Sequence, residues 1–155
     1  MHSDEDVKDQ HIDADVKTKQ QQFLLQSIHR WRFLLAESRT QLHAQHWSAA
    51  VDMYQETYSL AELLIHIADC KNCAIKNYTR TLFEYGYSLC KNNQRELLAH
   101  LIDIARQTLA CYVTPTLSHQ LLQPVVEMEK ANHYQQDLWV NQLFAKDASQ
   151  YGIVH

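Results

Sequence analysis

The segment CKNC places Cys70 and Cys73 three positions apart, and His66 precedes Cys70 by about one helical turn. Two thiolates at this spacing could chelate zinc, with His66 as a further ligand. A structural zinc site needs four ligands, commonly from two such clusters, and the other two cysteines, Cys90 and Cys111, are single. The pair could instead be redox-active, although a thioredoxin-like motif follows a strand rather than a long helix.

The simplest interpretation of Cys70 and Cys73 is structural, as small side chains at a helix junction. Four cysteines in 155 residues fit a reducing compartment better than a disulfide-stapled domain. A small helical metal or redox sensor that uses these two residues, with His66 as a third metal ligand, is the alternative.

No other motif points to catalysis. His43 and His46 could share a helix face and bind a metal weakly, but histidine at a helix end also favours the local dipole. The sequence contains no HExxH pattern, no GxSxG nucleophile motif and no glycine-rich phosphate loop. Tryptophans at positions 31, 47 and 139 are typical of helix packing, and an aromatic ligand pocket is the alternative. The sequence therefore predicts a non-enzymatic protein without a cofactor.

Composition favours long helices joined by few turns. Average usage of about 7% glycine and 5% proline predicts roughly eleven and eight of these residues, but the chain has two of each. No apolar run approaches the roughly 20 residues of a membrane span, and the polar, acidic beginning does not resemble a secretory signal. We expect a cytoplasmic protein that does not bind membranes.

Charge is concentrated at the beginning of the chain. Residues 1–18 carry six acids against two lysines, a net charge of −4, and the remainder has a net charge of zero. A neutral body with an acidic tail argues against binding to nucleic acid, which requires phosphate neutralisation. Because residues 1–18 lack apolar periodicity, we expect a disordered leader there. The alternative is an electrostatic arm that occupies a basic groove on its own domain.

Residues 47–69 carry two neighbouring apolar stripes at helical spacing and only a narrow polar face. A helix of this kind needs neighbours on two sides, so we predict an all-α fold with this helix at its centre. The predicted helical domain covers residues 19–148, and residues 149–155 are expected to fray. Its first helix is expected from Lys19 to Ala44.

Three further helices are expected to follow the central one. The third begins near Cys73 and contains Gly86, which would permit close approach of another helix. Asn93 with Glu96 matches a capping box for the fourth helix, which Pro115 stops. The last helix is expected to continue to Ala148, either kinked or restarted at its internal proline.

Two segments resemble tetratricopeptide repeats over about 80 residues. One resembles the second helix of a repeat through its aromatic and small residues, Trp47, Ala50, Tyr54 and Thr57. The other resembles both helices of a second copy through Leu82, Tyr85, Gly86, Leu89, Leu98, Ile102 and Ala105. The resemblance implies antiparallel helical hairpins, about two pairs and a C-terminal capping helix. A plain antiparallel bundle would produce similar patterns.

The resemblance also implies a groove lined by the first helix of each pair. Its expected lining residues are Arg32, Leu35, Arg39, Leu42, His43, Arg80, Phe83, Tyr87 and Lys91. Arginine forks and aromatic rings on one surface suit an acidic, partly apolar peptide. We therefore expect an adaptor that binds a protein or peptide, and that could also form a homodimer. The alternative is that the bases are solvated and the two leucines lie in the core.

Overall fold

The computed structural model describes residues 3–150, with side-chain surroundings described for residues 12–149. Every regular element within residues 3–150 is helical, which confirms the all-α prediction. The six helices are α1 (Ser3–His43), α2 (Trp47–Ile67), α3 (Lys71–Lys91), α4 (Arg95–Ala110), α5 (Pro115–Lys130) and α6 (His133–Gln150).

Consecutive helices form antiparallel hairpins, because the connections between them are only two to four residues long. Helix α2 packs between α1 and α3, as its two apolar stripes predict. The residue opening α2, Trp47, is partly buried, whereas Tyr54 and Leu64 are almost completely buried. The helix with the most neighbours is nevertheless α3, which contacts α2, α4, α5 and α6. The central position predicted for α2 is therefore shared with α3.

Both ends of the chain differ from the prediction. Helix α1 begins at Ser3 rather than near Lys19, so residues 3–18, expected to form a disordered leader, belong to this helix. At the other end α6 runs to Gln150. Fraying is predicted for residues 149–155. Residues 149 and 150 are helical, and residues 151–155 lie outside the described residues.

The predicted last helix is two helices separated at Ala131 and Asn132. Asn132 starts α6 by accepting the Gln135 amide with its side-chain oxygen at 2.8 Å, a typical N-cap interaction. The internal proline of the segment, Pro124, lies within α5 and does not end it. Instead Pro115 is the first residue of α5, where its missing amide costs no helical hydrogen bond.

Asn93 does not cap α4 as predicted. It adopts a left-handed backbone conformation (φ 60°) in the turn after α3, and Gln94 is the N-cap residue of α4. The Gln94 amide donates to the Leu89 carbonyl at 2.8 Å, which closes the end of α3. Asparagine suits this turn because it tolerates left-handed geometry better than most residues.

Gln45 occupies the same left-handed conformation (φ 59°) after α1, where the His46 amide donates to the Gln41 carbonyl at 3.0 Å. Replacing Gln45 with glycine is expected to raise the free energy of unfolding by about 1 kcal/mol, because glycine has no Cβ penalty there. Urea unfolding monitored by circular dichroism measures the change. Asn93→Gly is the matched control and should gain less, and a loss of stability in Gln45→Gly would contradict the assignment of strain to this turn.

Candidate functional site

A buried carboxylate lies at the centre of the helical body. Glu84 of α3 is completely buried and accepts a hydrogen bond from the Tyr54 hydroxyl of α2 at 2.8 Å. Arg39 of α1 donates to both carboxylate oxygens, each at 2.8 Å. Arg80, one turn earlier on α3, donates to the second oxygen at 2.8 Å. These four donors hold the carboxylate in place, so Glu84 is a structural anchor and not a free general base.

Tyr54 remains protonated in this cluster. Its burial, and then the charge of Glu84 and the hydrogen bond to it, raise the pKa of Tyr54 far above its ordinary range. The hydroxyl is therefore a permanent donor to Glu84. Through this cluster α1, α2 and α3 are joined by polar contacts beneath the surface that α6 covers.

Helix α6 lies on this cluster with an acidic and an aromatic side chain. Arg80 donates to the two carboxylate oxygens of Asp147 at 2.7 and 3.3 Å. The Phe144 ring lies 5.4 Å from the Arg39 guanidinium carbon and 5.3 Å from that of Arg80, within the range of a cation–π interaction. The imidazole of His43 meets the same ring edge-on at 4.6 Å between centroids.

A second acidic side chain fixes the beginning of α6. Asp137 accepts the Tyr87 hydroxyl at 2.7 Å, and Lys91 lies 3.0 Å from the same carboxylate. The Lys91 ammonium also lies 5.5 Å from the Trp47 ring, which packs edge-on against the ring of Tyr87 at 5.5 Å. Bases and aromatic rings of α1, α2 and α3 thus contact acids and an aromatic ring of α6.

The contact at Asp137 makes the docking of α6 sensitive to acid. Burial by itself raises the pKa of Asp137, but hydrogen bonds from Tyr87 and Lys91 and the charge of Lys91 lower it below its ordinary value. A lowered folded-state pKa stabilises the fold above the unfolded value of about 3.9, and this contribution is lost as the pH falls through the folded value. We therefore expect Asp137→Asn to show a shallower loss of stability between about pH 5 and pH 3.

Urea unfolding at several pH values tests this expectation. The matched control is Asp103→Asn, which removes a largely exposed carboxylate paired with Arg106 and should leave the pH profile nearly unchanged. Equal profiles for Asp137→Asn and the unsubstituted chain would contradict it.

The structure brings together six of the seven residues predicted to bind a partner. We call them the α1–α3 surface: Arg39, His43, Arg80, Phe83, Tyr87 and Lys91. The seventh, Arg32, is exposed and lines a separate cavity of about 320 Å³ beside Cys70 and Cys73. Leu35 and Leu42 are buried in the core rather than in a groove.

Sequence reasoning missed the residues that occupy this surface. Asp137, Val140, Phe144 and Asp147 follow one another at spacings of three, four and three, which places them on one face of α6. That stripe of acidic, apolar, aromatic and acidic side chains was visible in the sequence. Glu84 also had a signal, because Arg80 precedes it by four positions on the same helix.

A cavity of about 490 Å³ adjoins the α1–α3 surface between α3, α5 and α6. Its walls are mainly apolar, with Phe83, Val125, Trp139 and Leu143 among them, and Lys146 lies at its edge. The aromatic side of α6 therefore does not fill all the apolar space available on α3 and α5.

Cys70 and Cys73 form a disulfide, with 5.4 Å between their Cα atoms. Both residues are exposed, and Cys70 is the N-cap of α3, where its sulfur accepts the Cys73 amide at 3.3 Å. The expectation of reduced structural thiols at this helix junction is therefore wrong for this structure. His66 instead hydrogen-bonds the Tyr112 hydroxyl.

The remaining candidate metal ligands are also engaged elsewhere. His43 contacts Phe144, whereas His46 hydrogen-bonds Gln41 at 3.0 Å. No group of three histidine, cysteine, aspartate or glutamate side chains in the described part of the chain is arranged to hold a metal ion.

Comparison with known proteins adds no relative. No protein-family model, curated protein or solved structure matches this chain. Over the described residues, no helix combines the length and the apolar character needed to cross a membrane. The structure assigns the chain to the all-α class, as a set of antiparallel helical hairpins.

Proposed function

We propose that this chain is a non-catalytic adaptor that binds an acidic, partly apolar helix on its α1–α3 surface. The observation that carries the proposal is the manner in which α6 lies there, with Asp137 and Asp147 against bases and Phe144 against two guanidinium groups. A partner segment with acids and an aromatic residue at the same spacing would make the same contacts.

Binding of such a partner requires α6 to move. The contacts that hold α6 are partly exposed: the Asp147 side chain is 31% accessible and that of Asp137 43% accessible. Partly exposed ion pairs contribute little individually, about 0.2–1 kcal/mol. An external helix competes with these pairs and with the burial of Val140 on the same face of α6. Two of the bases beneath, Arg39 and Arg80, are in contrast also paired with the buried Glu84, which belongs to α3 and not to α6.

The tetratricopeptide-like arrangement is part of this proposal. It is supported by the order of the helix pairs and by the close approach at Gly86, where an added Cβ would lie 2.9 Å from a methyl carbon of Leu98. In that family the first helices of successive pairs line the partner groove, which corresponds here to α1 and α3. A cytoplasmic location also remains part of the proposal.

The test uses a fluorescent peptide with the sequence of residues 133–150 and the full-length chain. A variant with Asp137, Phe144 and Asp147 all replaced by alanine loosens the chain's own α6, and we expect it to bind the peptide at least about tenfold more tightly than the unsubstituted chain. Fluorescence anisotropy measures both dissociation constants. Adding Lys91→Glu to the loosened variant should weaken binding again.

The control peptide carries lysine in place of both aspartates and should not bind. If the loosened variant bound neither peptide, or bound both equally, the α1–α3 surface would not be a site for acidic helices. If the loosened variant binds only the acidic peptide, capture from a native lysate with and without Lys91→Glu would identify natural partners that depend on this surface.

A redox sensor is the second candidate function, and the Cys70–Cys73 disulfide is the observation that favours it. The pair is exposed at the N-terminus of α3, where the helix dipole and the Cys73 amide would stabilise a Cys70 thiolate. Trp31 and both cysteines line the same cavity of about 320 Å³, so we expect reduction of the disulfide to change the fluorescence of Trp31.

Equilibration in buffers of reduced and oxidised glutathione, followed by alkylation and mass spectrometry, tests this candidate. A reversible midpoint in the folded chain, with a matching change in tryptophan fluorescence, would support a sensor. A disulfide that resists reduction until the chain unfolds would assign a structural role, and Cys70→Ser with Cys73→Ser provides the fluorescence baseline.

A further inference from the structure

The first half of α1 extends beyond the helical body. Leu24 is the first buried residue of the described side chains, and residues 12–23 are all exposed. At 1.5 Å per residue, the helical segment 3–23 is about 30 Å long. Most helical stability in proteins comes from packing of an apolar face. Residues 12–23, about 18 Å of this helix, lack such packing on their own chain, which indicates that another surface packs on them.

An apolar stripe follows one side of this segment. Ile12 is 60% exposed, Val16 47% and Phe23 52%, and Lys19 fills the gap between the last two. Their successive spacings of four, three and four match the heptad pattern of a coiled-coil seam. The stripe therefore has the geometry to pack along one other helix.

The charge pattern of α1 favours one orientation of a second helix packed along the apolar stripe. Residues 3–15 carry six acids and one lysine, whereas residues 16–36 carry four bases and no acid. Helix α1 is thus acidic at its beginning and basic along its middle. A parallel pair of α1 helices would align the two acidic segments, whereas an antiparallel pair would align each acidic segment with a basic one.

We propose that two copies of this chain associate through an antiparallel pairing of their α1 segments. In the register we propose, Ile12 of each copy packs on Phe23 of the other copy, so this contact occurs twice. Val16 of each copy then lies beside the aliphatic stem of Lys19 of the other. The same register brings the acidic residues 3–15 of one copy alongside residues 20–32 of the other, which carry Arg30 and Arg32 and no acid. This pairing satisfies both the apolar stripe and the charge pattern.

This interface is separate from the α1–α3 surface. Arg39 follows Ile12 by 27 positions, which at about 100° per residue places the two on opposite sides of α1. A dimer would therefore leave α6 and the proposed partner site free, and its existence does not depend on the proposed function.

Sedimentation velocity of the full-length chain over a range of concentrations tests the proposal. We expect a dimer that weakens as salt is raised, because the paired charges are exposed. Phe23→Glu should raise the dissociation constant at least about 30-fold, as expected for a buried aromatic anchor. Leu25→Glu is the matched control: Leu25 is 51% exposed on the opposite side of the same helix and should leave the dimer intact.

Cysteine cross-linking tests the orientation in a Cys111→Ser background, which removes the exposed free thiol. Ile12→Cys mixed with Phe23→Cys should give a disulfide-linked dimer, whereas Ile12→Cys alone should not, because the two copies of position 12 lie about 16 Å apart along the antiparallel pair. A monomer at all concentrations, a dimer that Phe23→Glu leaves unchanged, or efficient cross-linking of Ile12→Cys to itself would each overturn the proposal.

Discussion

Replacement of Glu84 with glutamine is expected to lower the free energy of unfolding by about 3–5 kcal/mol, because it leaves Arg39 without a carboxylate partner and Arg80 with Asp147 alone. The carboxylate is completely buried and neutralises both Arg39 and Arg80, whose side chains are 31% and 22% exposed. Glutamine keeps the shape of the side chain but turns an amide donor toward one of these guanidinium groups. For a chain of this size, the loss corresponds to a melting temperature lower by about 6–20 °C.

Chemical and thermal unfolding measure the effect of Glu84→Gln, and Glu56→Gln is the matched control. Glu56 pairs with Arg30 on the surface, where the two side chains are 56% and 60% exposed. An exposed pair of this kind is worth only about 0.2–1 kcal/mol. Equal losses for the two variants would show that Glu84 does not anchor the helices.

Gly86→Val is expected to cost about 3 kcal/mol, at the upper end of the range for inserting carbon atoms into a packed core. A Cβ at this position would lie 2.9 and 3.1 Å from the two methyl carbons of Leu98. Leu98 is itself completely buried, so its side chain has little room to move aside. The additional methyl groups of valine would push α3 and α4 apart.

A double-mutant cycle with Leu98→Ala separates this steric effect from helix propensity. Leu98→Ala alone should cost about 2–5 kcal/mol through the cavity that it leaves. Because valine at position 86 would fill part of that cavity, the double variant should be more stable than the sum of the single losses predicts. Additive losses would show that Gly86 is not required for close packing against Leu98.

The Glu84 cluster also changes which variants can test binding. From the sequence, Arg39 and Arg80 are natural targets for charge reversal, since both are predicted to line the groove. In the structure both hold Glu84, so replacing them with glutamate would gather three acidic side chains around one buried position and unfold the chain. Lys91 is the better probe, because it contacts Asp137 of α6 and not Glu84.

The electrostatic arm, considered for residues 1–18 as the alternative to a disordered leader, has a counterpart at the other end of the chain. The sequence suggested that acidic residues 1–18 could occupy a basic groove of their own domain, but α6 is the acidic helix that does so. Its two aspartates do not stand out in composition, because α6 also contains Lys146 and many neutral residues. Net charge therefore did not point to α6, and the spacing of the acids along one face was the informative feature.

The sequence alone determined the features that depend on local periodicity. The apolar stripes of residues 47–69 established α2 and its two-sided packing, and the scarcity of glycine and proline established an all-helical chain. These conclusions hold because the rotation per residue in an α-helix is fixed by the backbone.

Tertiary structure decided what lies opposite each face. Residues 39, 54, 84 and 147 are far apart in the chain and form one polar cluster only because four helices meet there. Asn93 and the Cys70–Cys73 disulfide differ from the prediction for local reasons, because the first closes the end of α3 and the second joins residues three positions apart. Long-range pairing depends on which helices pack together, so the resemblance to tetratricopeptide repeats could name residues of the α1–α3 surface but not its occupant.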